Sequence, residues 1–249
     1  QAKHRVFQGC KAVVINGDDP LTNPLVPGTV TQKSFSLGDP DVGQFGLREE
    51  AGTPWMVQGL KPILAVNKLA MFGRHNVANA LAALALGQAV GLPMEAMTKT
   101  LTVFTGLSHR CEWVADIDGV AYINDSKGTN IGATVAALEG LGPALTGKIM
   151  LIAGGLGKGA DFSELVAPLS RYGKQVVLIG RDANDIEMAL VGKVRCIHAQ
   201  DMQSAVSIAH AQAVSGDLVL LSPACASFDA YANFEARGDH FSALVRALA

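Results

Sequence analysis

The sequence predicts an α/β protein whose second part is a doubly wound, mostly parallel sheet, and three observations predict it. Beyond residue 111, apolar strand-like runs alternate strictly with helical stretches, as they do when parallel strands are joined by helical crossovers. The polar residues of that part gather where strands end, which a parallel sheet would place along one rim. At 105–111, TGLSHRC, the pattern loses its period, and the chain is expected to divide there into regions 1–108 and 109–249.

The first region opens with KAVVIN at 11–16, a buried strand run closed by the turn GDDP. Residues 21–65 are rich in Gly, Pro, Thr and Asp, with weak alternation at 31–35 and 55–57, and predict short antiparallel strands with long turns. VANALAALALGQAV predicts a helix over 76–90, buried because alanines all round let neighbours approach closely. GLP ends it, and a second helix is predicted at 94–101. In the second region strands are predicted at 120–124, 148–153, 175–179, 194–198 and 217–221. Helices are predicted at 131–139, 162–169, 183–190, 202–214 and 231–248.

Composition narrows the function classes. With 49% hydrophobic and 17% charged residues and a net charge of −2, the chain has the makings of an ample core and is not of the disordered class. No Lys/Arg cluster forms a basic stripe, so no nucleic-acid partner is expected. The longest apolar stretch, 77–90, is shorter than the ~20 residues that cross a bilayer, so no membrane insertion is expected. Cys10, Cys111, Cys196 and Cys225 form no C-x-x-C pair, which argues against a zinc site or a disulfide framework and fits a reducing cytoplasm. The chain opens on Gln1 in what reads as a helix end running into a strand, so a preceding segment is expected.

The densest chemistry lies in AYINDSKGTNIGAT at 121–134. An apolar strand breaks into a turn carrying Asp125, Ser126, Lys127 and Thr129 and then feeds a helix, where free backbone N–H groups favour anions. The same residue types also cap helices without any ligand, and the turn fits either reading. GGLGKGAD at 154–161 is not a phosphate loop, because Ile152 stands at the first glycine position and Gly159 at the final Ser/Thr position. Its G-x-G is followed by Ala160 where the dinucleotide fingerprint has its third glycine, a partial failure. What remains is a close-approach backbone with one ammonium, Lys158, suited to a carboxylate or phosphate, or else an ordinary exposed lysine. Cys225 in SPACAS has no nucleophile elbow around it and reads as packing, while Ser227 can approach a ligand. His109 and Arg110 pair a possible proton or metal partner with a fixed cation at the expected boundary.

In order along the chain, FGRHNVANALAALAL, FTGLSHRCE, INDSKGTN, GGLGKGADF, LLSPACASFD and NFEARGDHF resemble the Mur ligase family. The resemblance runs from Lys3 to the C-terminus. It implies a Rossmann-like domain at 109–249 that binds the incoming amino acid, preceded at 1–108 by the C-terminal part of an α/β Mur-type central ATP-binding domain. The P-loop would lie outside this chain, which by itself is expected to be inactive. The implied reaction adds D-glutamate to UDP-N-acetylmuramoyl-L-alanine through an acyl phosphate, using ATP and Mg2+, in a cytoplasmic monomer serving peptidoglycan precursor synthesis and hence cell shape and division. Carried over by residue, Lys3 is similar to a carbamylated lysine that helps hold magnesium. Asn76 and Asn79 resemble residues near adenine and ribose, and Arg110 and Asp125 those that embrace the nucleotide. By the same resemblance, His109 and Lys127 are expected near the phosphates or the intermediate. Thr129, Lys158, Ser227, Phe228 and Phe234 resemble the D-glutamate pocket, with Lys158 as counter-ion. Gly128, where the family often has alanine, is expected to leave the turn looser.

Other readings share parts of this pattern. Another Mur ligase or a folylpolyglutamate synthetase would use the same scaffold, although SPACAS and GGLGKGADF favour D-glutamate. A nicotinamide-dependent dehydrogenase would need an acidic residue ending the second strand, where the sequence has Ala153-Gly154. A non-catalytic ligand-binding module is the remaining class.

Overall fold

The computed structural model describes residues 2–71 and 73–248, without the side chains of Ala2 and Lys3, so the expectation for Lys3 falls outside the described residues. The chain forms two compact units, Gln1–Thr105 and Gly106–Ala249. The division thus comes after Thr105 rather than after Ser108.

The first unit carries β1 (Ala12–Asn16), β2 (Thr31–Phe35), β3 (Phe45–Glu50), β4 (Thr53–Gln58) and β5 (Lys61–Ala65), in that order across one sheet, followed by α1 (Arg74–Ala89) and α2 (Met94–Leu101). The expectation of short antiparallel strands over 21–65 holds for β3, β4 and β5 and is corrected for β2. β1, β2 and β3 run parallel, and only the β3–β4 and β4–β5 hairpins are antiparallel. The segment 17–30 is long enough to bring the chain back for parallel pairing of β1 and β2, β2 and β3 meet in parallel only at Phe35 and Phe45, and the short turns before β4 and β5 force reversal. α1 is buried on one face only: Val77, Ala80, Leu81, Leu84 and Ala85 pack with Phe45 and Met56, while Leu86 is exposed.

The second unit contains β6 (Glu112–Ile117), β7 (Val120–Asn124), α3 (Ile131–Leu141), β8 (Ile149–Gly154), α4 (Val166–Tyr172), β9 (Gly173–Ile179), α5 (Ala183–Leu190), β10 (Cys196–His198), α6 (Met202–Gln212), β11 (Leu218–Leu221) and α7 (Phe234–Arg246). The sheet order is β10-β9-β8-β11-β7-β6, parallel except for β6. β6 had no expected counterpart. It pairs with β7 through a tight turn in which Asp118 and Gly119 both take positive φ, the turn an Asp-Gly pair favours.

Side chains of the central strands alternate between two cores. Ile149, Leu151 and Ala153 of β8 and Leu218 and Leu220 of β11 pack with α3, α4 and α5. Met150 and Ile152, with Val219 and Leu221, pack with α6 and α7. A sheet covered on both faces has apolar residues at every position, which is why these strands read as continuous runs. α7 begins at Phe234, later than expected, because Asn233 caps it by accepting the Ala236 N–H at 2.7 Å.

Candidate functional site

β11 lies between β7 and β8, with Leu221 opposite both Asn124 and Ile152, so the three turns that follow leave the sheet side by side. Their residues are then tied to one another. The Asp125 N–H donates to the Leu221 carbonyl at 2.7 Å, its Oδ2 accepts from the Ser222 hydroxyl at 2.7 Å, and its Oδ1 accepts from the Cys111 N–H at 3.2 Å. Ser222 Oγ lies 3.1 Å from Thr134 Oγ1 on α3. Burial pushes the Asp125 carboxyl up to about 6, against the opposing pull of the Ser222 and Cys111 hydrogen bonds and of the nearby Arg110 charge.

The expectation of a loosened turn at Gly128 is corrected by the same packing. A Cβ there would lie 2.7 Å from both Asp125 Oδ2 and Ser222 Oγ, so the glycine lets the carboxylate and hydroxyl close over the turn. Asn130 is a helix cap, accepting the Ala133 N–H at 3.0 Å, while Thr129 is half-buried in the turn before it.

Sequence reasoning missed the group that joins these turns. Arg237 on α7 is 1% exposed and donates four hydrogen bonds: to Ser126 Oγ, to the Ser126 carbonyl and twice to the Cys225 carbonyl, at 2.9–3.1 Å. Burial draws its guanidinium down to about 10. The signal was an arginine between small residues in NFEARGDHF. Burial also pushes the Cys225 thiol up to about 12, in keeping with an inert packing residue.

His109 is buried beside Asn124, whose amide nitrogen lies 3.1 Å from Nδ1 and also donates to the Gly238 carbonyl at 3.0 Å. Asn124 Oδ1 accepts the Ser126 N–H, which fixes which end of the amide faces the ring. Nδ1 faces that amide nitrogen and Nε2 lies 3.8 Å from Asp239. A side chain at Gly238 would strike both His109 and Asn124. Lys127 places its ammonium 3.8 Å from the centre of the Phe234 ring, which meets His109 edge-on at 6.0 Å. Lys127 N–H also donates to the His109 carbonyl.

The β8 exit is strapped to the β11 exit by the reciprocal Leu156 and Ala226 backbone bonds, 2.9 and 3.0 Å. Gly155 permits this, since a Cβ would meet the Ala226 carbonyl. Ser227 follows the strapped pair on one side and Lys158 lies just beyond it on the other. Ser227 is buried, whereas Lys158 stands exposed at φ 57° with no ion pair or hydrogen bond among the described residues. Phe228 is 67% exposed. In the first unit, Asn79 donates to Asn76 Oδ1 at 3.3 Å on the first turns of α1. Next to them the buried His75 Nδ1 has no partner among the described residues. Among the described residues no group of three or more His, Cys, Asp or Glu side chains could hold a metal ion, and no helix is long and apolar enough to cross a membrane.

Residues 109–225 match the model of the Mur ligase, glutamate ligase domain. The whole chain is 51% identical to a UDP-N-acetylmuramoylalanine–D-glutamate ligase of Acinetobacter baylyi and covers 56% of it. It is also 51% identical, again over its whole length, to the Pseudomonas aeruginosa protein of that name, covering 55%. The chain thus spans about half the length of the curated relatives it matches. Among solved structures, a UDP-N-acetylmuramate-alanine ligase from Thermotoga maritima aligns with 96% of this chain and 52% of its own at a TM-score of 0.62 and 15% identity. The MurF ligase from Thermotoga maritima in complex with ADP aligns with 96% of this chain and 54% of its own at 0.65 and 16%. These share the fold. None of these matches favours a dehydrogenase.

Proposed function

Because the chain belongs to the Mur ligase family, we propose that it serves ATP-dependent addition of D-glutamate to UDP-N-acetylmuramoyl-L-alanine, in the cytoplasmic stage of peptidoglycan precursor synthesis. In this reading the first unit contributes to the nucleotide site through Asn76 and Asn79, and the second unit binds the incoming amino acid. The substrate carboxylate accepts the γ-phosphoryl group of ATP. The amine of D-glutamate attacks the resulting acyl phosphate, and inorganic phosphate leaves as the amide forms. Negative charge accumulates on the oxyanion and the departing phosphate, so fixed cations are the groups that matter. Arg110 and Lys127 supply them, with Lys127 held on the Phe234 ring and His109 behind it. Magnesium would supply further charge neutralisation when bound with the nucleotide phosphates.

The observation that carries the amino-acid site is Lys158: an exposed ammonium without a described partner, on a loop strapped to the one bearing Ser227. A dicarboxylate needs such a cation, with a hydroxyl and backbone N–H groups beside it. Titration of D-glutamate into the 15N-labelled chain tests this. Saturable shifts are expected at the amides of Thr129, Lys158, Ser227 and Phe228, with L-glutamate at least tenfold weaker. Shifts confined to other parts of the sheet would overturn the assignment.

A further inference from the structure

The second unit holds a cavity of about 300 Å3 on the α6 and α7 side of its sheet, at the small end of the roughly 300–1,000 Å3 range of ligand sites. None of the residues discussed as candidates for nucleotide or D-glutamate lines it. Its floor is bare backbone at Gly155 and Gly180, where a Cβ on Gly180 would lie 2.8 Å from Gly155 Cα. Asp201 and Asp229 bring carboxylates to it. Asp201 caps α6, its Oδ1 accepting the Ser204 N–H at 2.8 Å. Asp229 is oriented by the Arg181 N–H, which donates to Oδ2 at 3.0 Å, and its Oδ1 accepts no bond among the described residues. Neither carboxylate is in an ion pair among the described residues. Tyr231 forms an aromatic wall, its hydroxyl 2.9 Å from His240 Nδ1, and Ile179, Met202 and Ala230 add apolar surface.

Charge decides the kind of ligand. Arg237 also borders the cavity, but its donors are turned to Ser126 and Cys225. Besides His240, the lining carries two solvent-exposed carboxylates and one guanidinium, so acidic groups outnumber the fixed cation beside an apolar and aromatic wall. We propose that this cavity is a second ligand site, for a small organic monocation: a primary ammonium or guanidinium carried on an apolar body. The cationic head lies against Asp229 and Asp201, and the body against Tyr231 and Met202.

Three probes of one size and differing charge test it on the 15N-labelled chain: tyramine, neutral 4-(2-hydroxyethyl)phenol and anionic 4-hydroxyphenylacetate. Tyramine is expected to shift the amides of Gly155, Gly180, Met202 and Tyr231 saturably, with the other two at least tenfold weaker. Asp229→Asn should weaken tyramine at least tenfold, and Ala230→Phe, which fills the cavity and leaves both carboxylates in place, should abolish binding. The proposal is overturned if the three probes bind alike or if tyramine leaves those amides unmoved. Should Asp229→Asn fail to fold, Ala230→Phe decides, and unchanged tyramine binding by it overturns the proposal.

Discussion

Asp125 and Lys158 show how differently two charged residues of one rim are set. Asp125 is enclosed, and its carboxyl is held up at about 6 against an ordinary 3.8, so between those values the folded chain binds a proton that the unfolded chain has released. Its ionisation therefore costs stability as pH rises through that window. The difference amounts to about 3 kcal/mol at full ionisation. Asp125→Asn removes this dependence: urea unfolding at pH 4 and at pH 7 should show the variant gaining on the parent by up to about that amount, and a constant gap would refute the raised value. Lys158 is in solvent, and its removal should leave stability unchanged within about 0.5 kcal/mol. In turnover by a ligase that carries this chain together with a P-loop, Lys158→Ala should raise the KM for D-glutamate at least tenfold and that for ATP less than twofold. Equal rises in both would count against its place in the amino-acid site. Both residues were legible in the sequence as polar groups at strand ends. That Asp125 is bonded to Ser222, 97 positions away, was not, because hydrogen-bond partners so distant in the chain meet only through the sheet order.

At the scale of elements, the β7 and β11 exits are held by α7. Arg237 crosses from the helix to both turns, so the turn that carries Asp125 and the loop that carries Ser227 are fixed by one side chain. Arg237→Met keeps the bulk and leaves the Ser126 and Cys225 carbonyls without these donors, at a cost of about 3 kcal/mol in urea unfolding. Arg237→Lys, which cannot reproduce the planar fork, should recover less than half of that. Loss below 1 kcal/mol for the methionine variant would show that water replaces the guanidinium without penalty. The helices were largely legible from their periodicity and terminators. β6 was not legible as a strand because Glu112 and Asp116 interrupt its apolar residues, although the Asp118-Gly119 that follows is a strong hairpin signal. The parallel pairing of β1 with β2 was missed for a different reason: short strands separated by Gly and Pro carry no information on direction.

For the molecule as a whole, the second unit has both faces of its sheet covered by its own helices and two cores drawn from its own residues. Residues 106–249 expressed alone should therefore fold cooperatively, with a dispersed amide spectrum and a single urea transition. A broad transition or a collapsed spectrum would mean that this unit depends on the first. The likeness to Mur ligases extends over the whole chain, while the chain spans about half of those relatives, so binding measurements on its own rims are the direct tests of what it contributes.

The amino-acid order by itself determined the α/β class, the strand and helix alternation, the family, and the location of polar residues at strand exits, because these depend on neighbours a few positions apart. Tertiary structure alone decided that β11 inserts between β7 and β8 and that Arg237 is buried across their exits. It also decided that Asp125 is enclosed and Lys158 open, and that a cavity with unpaired carboxylates opens on the α6 and α7 side. Each of these follows from which distant segments are packed together, and burial, not residue type, sets what a charged group can do there.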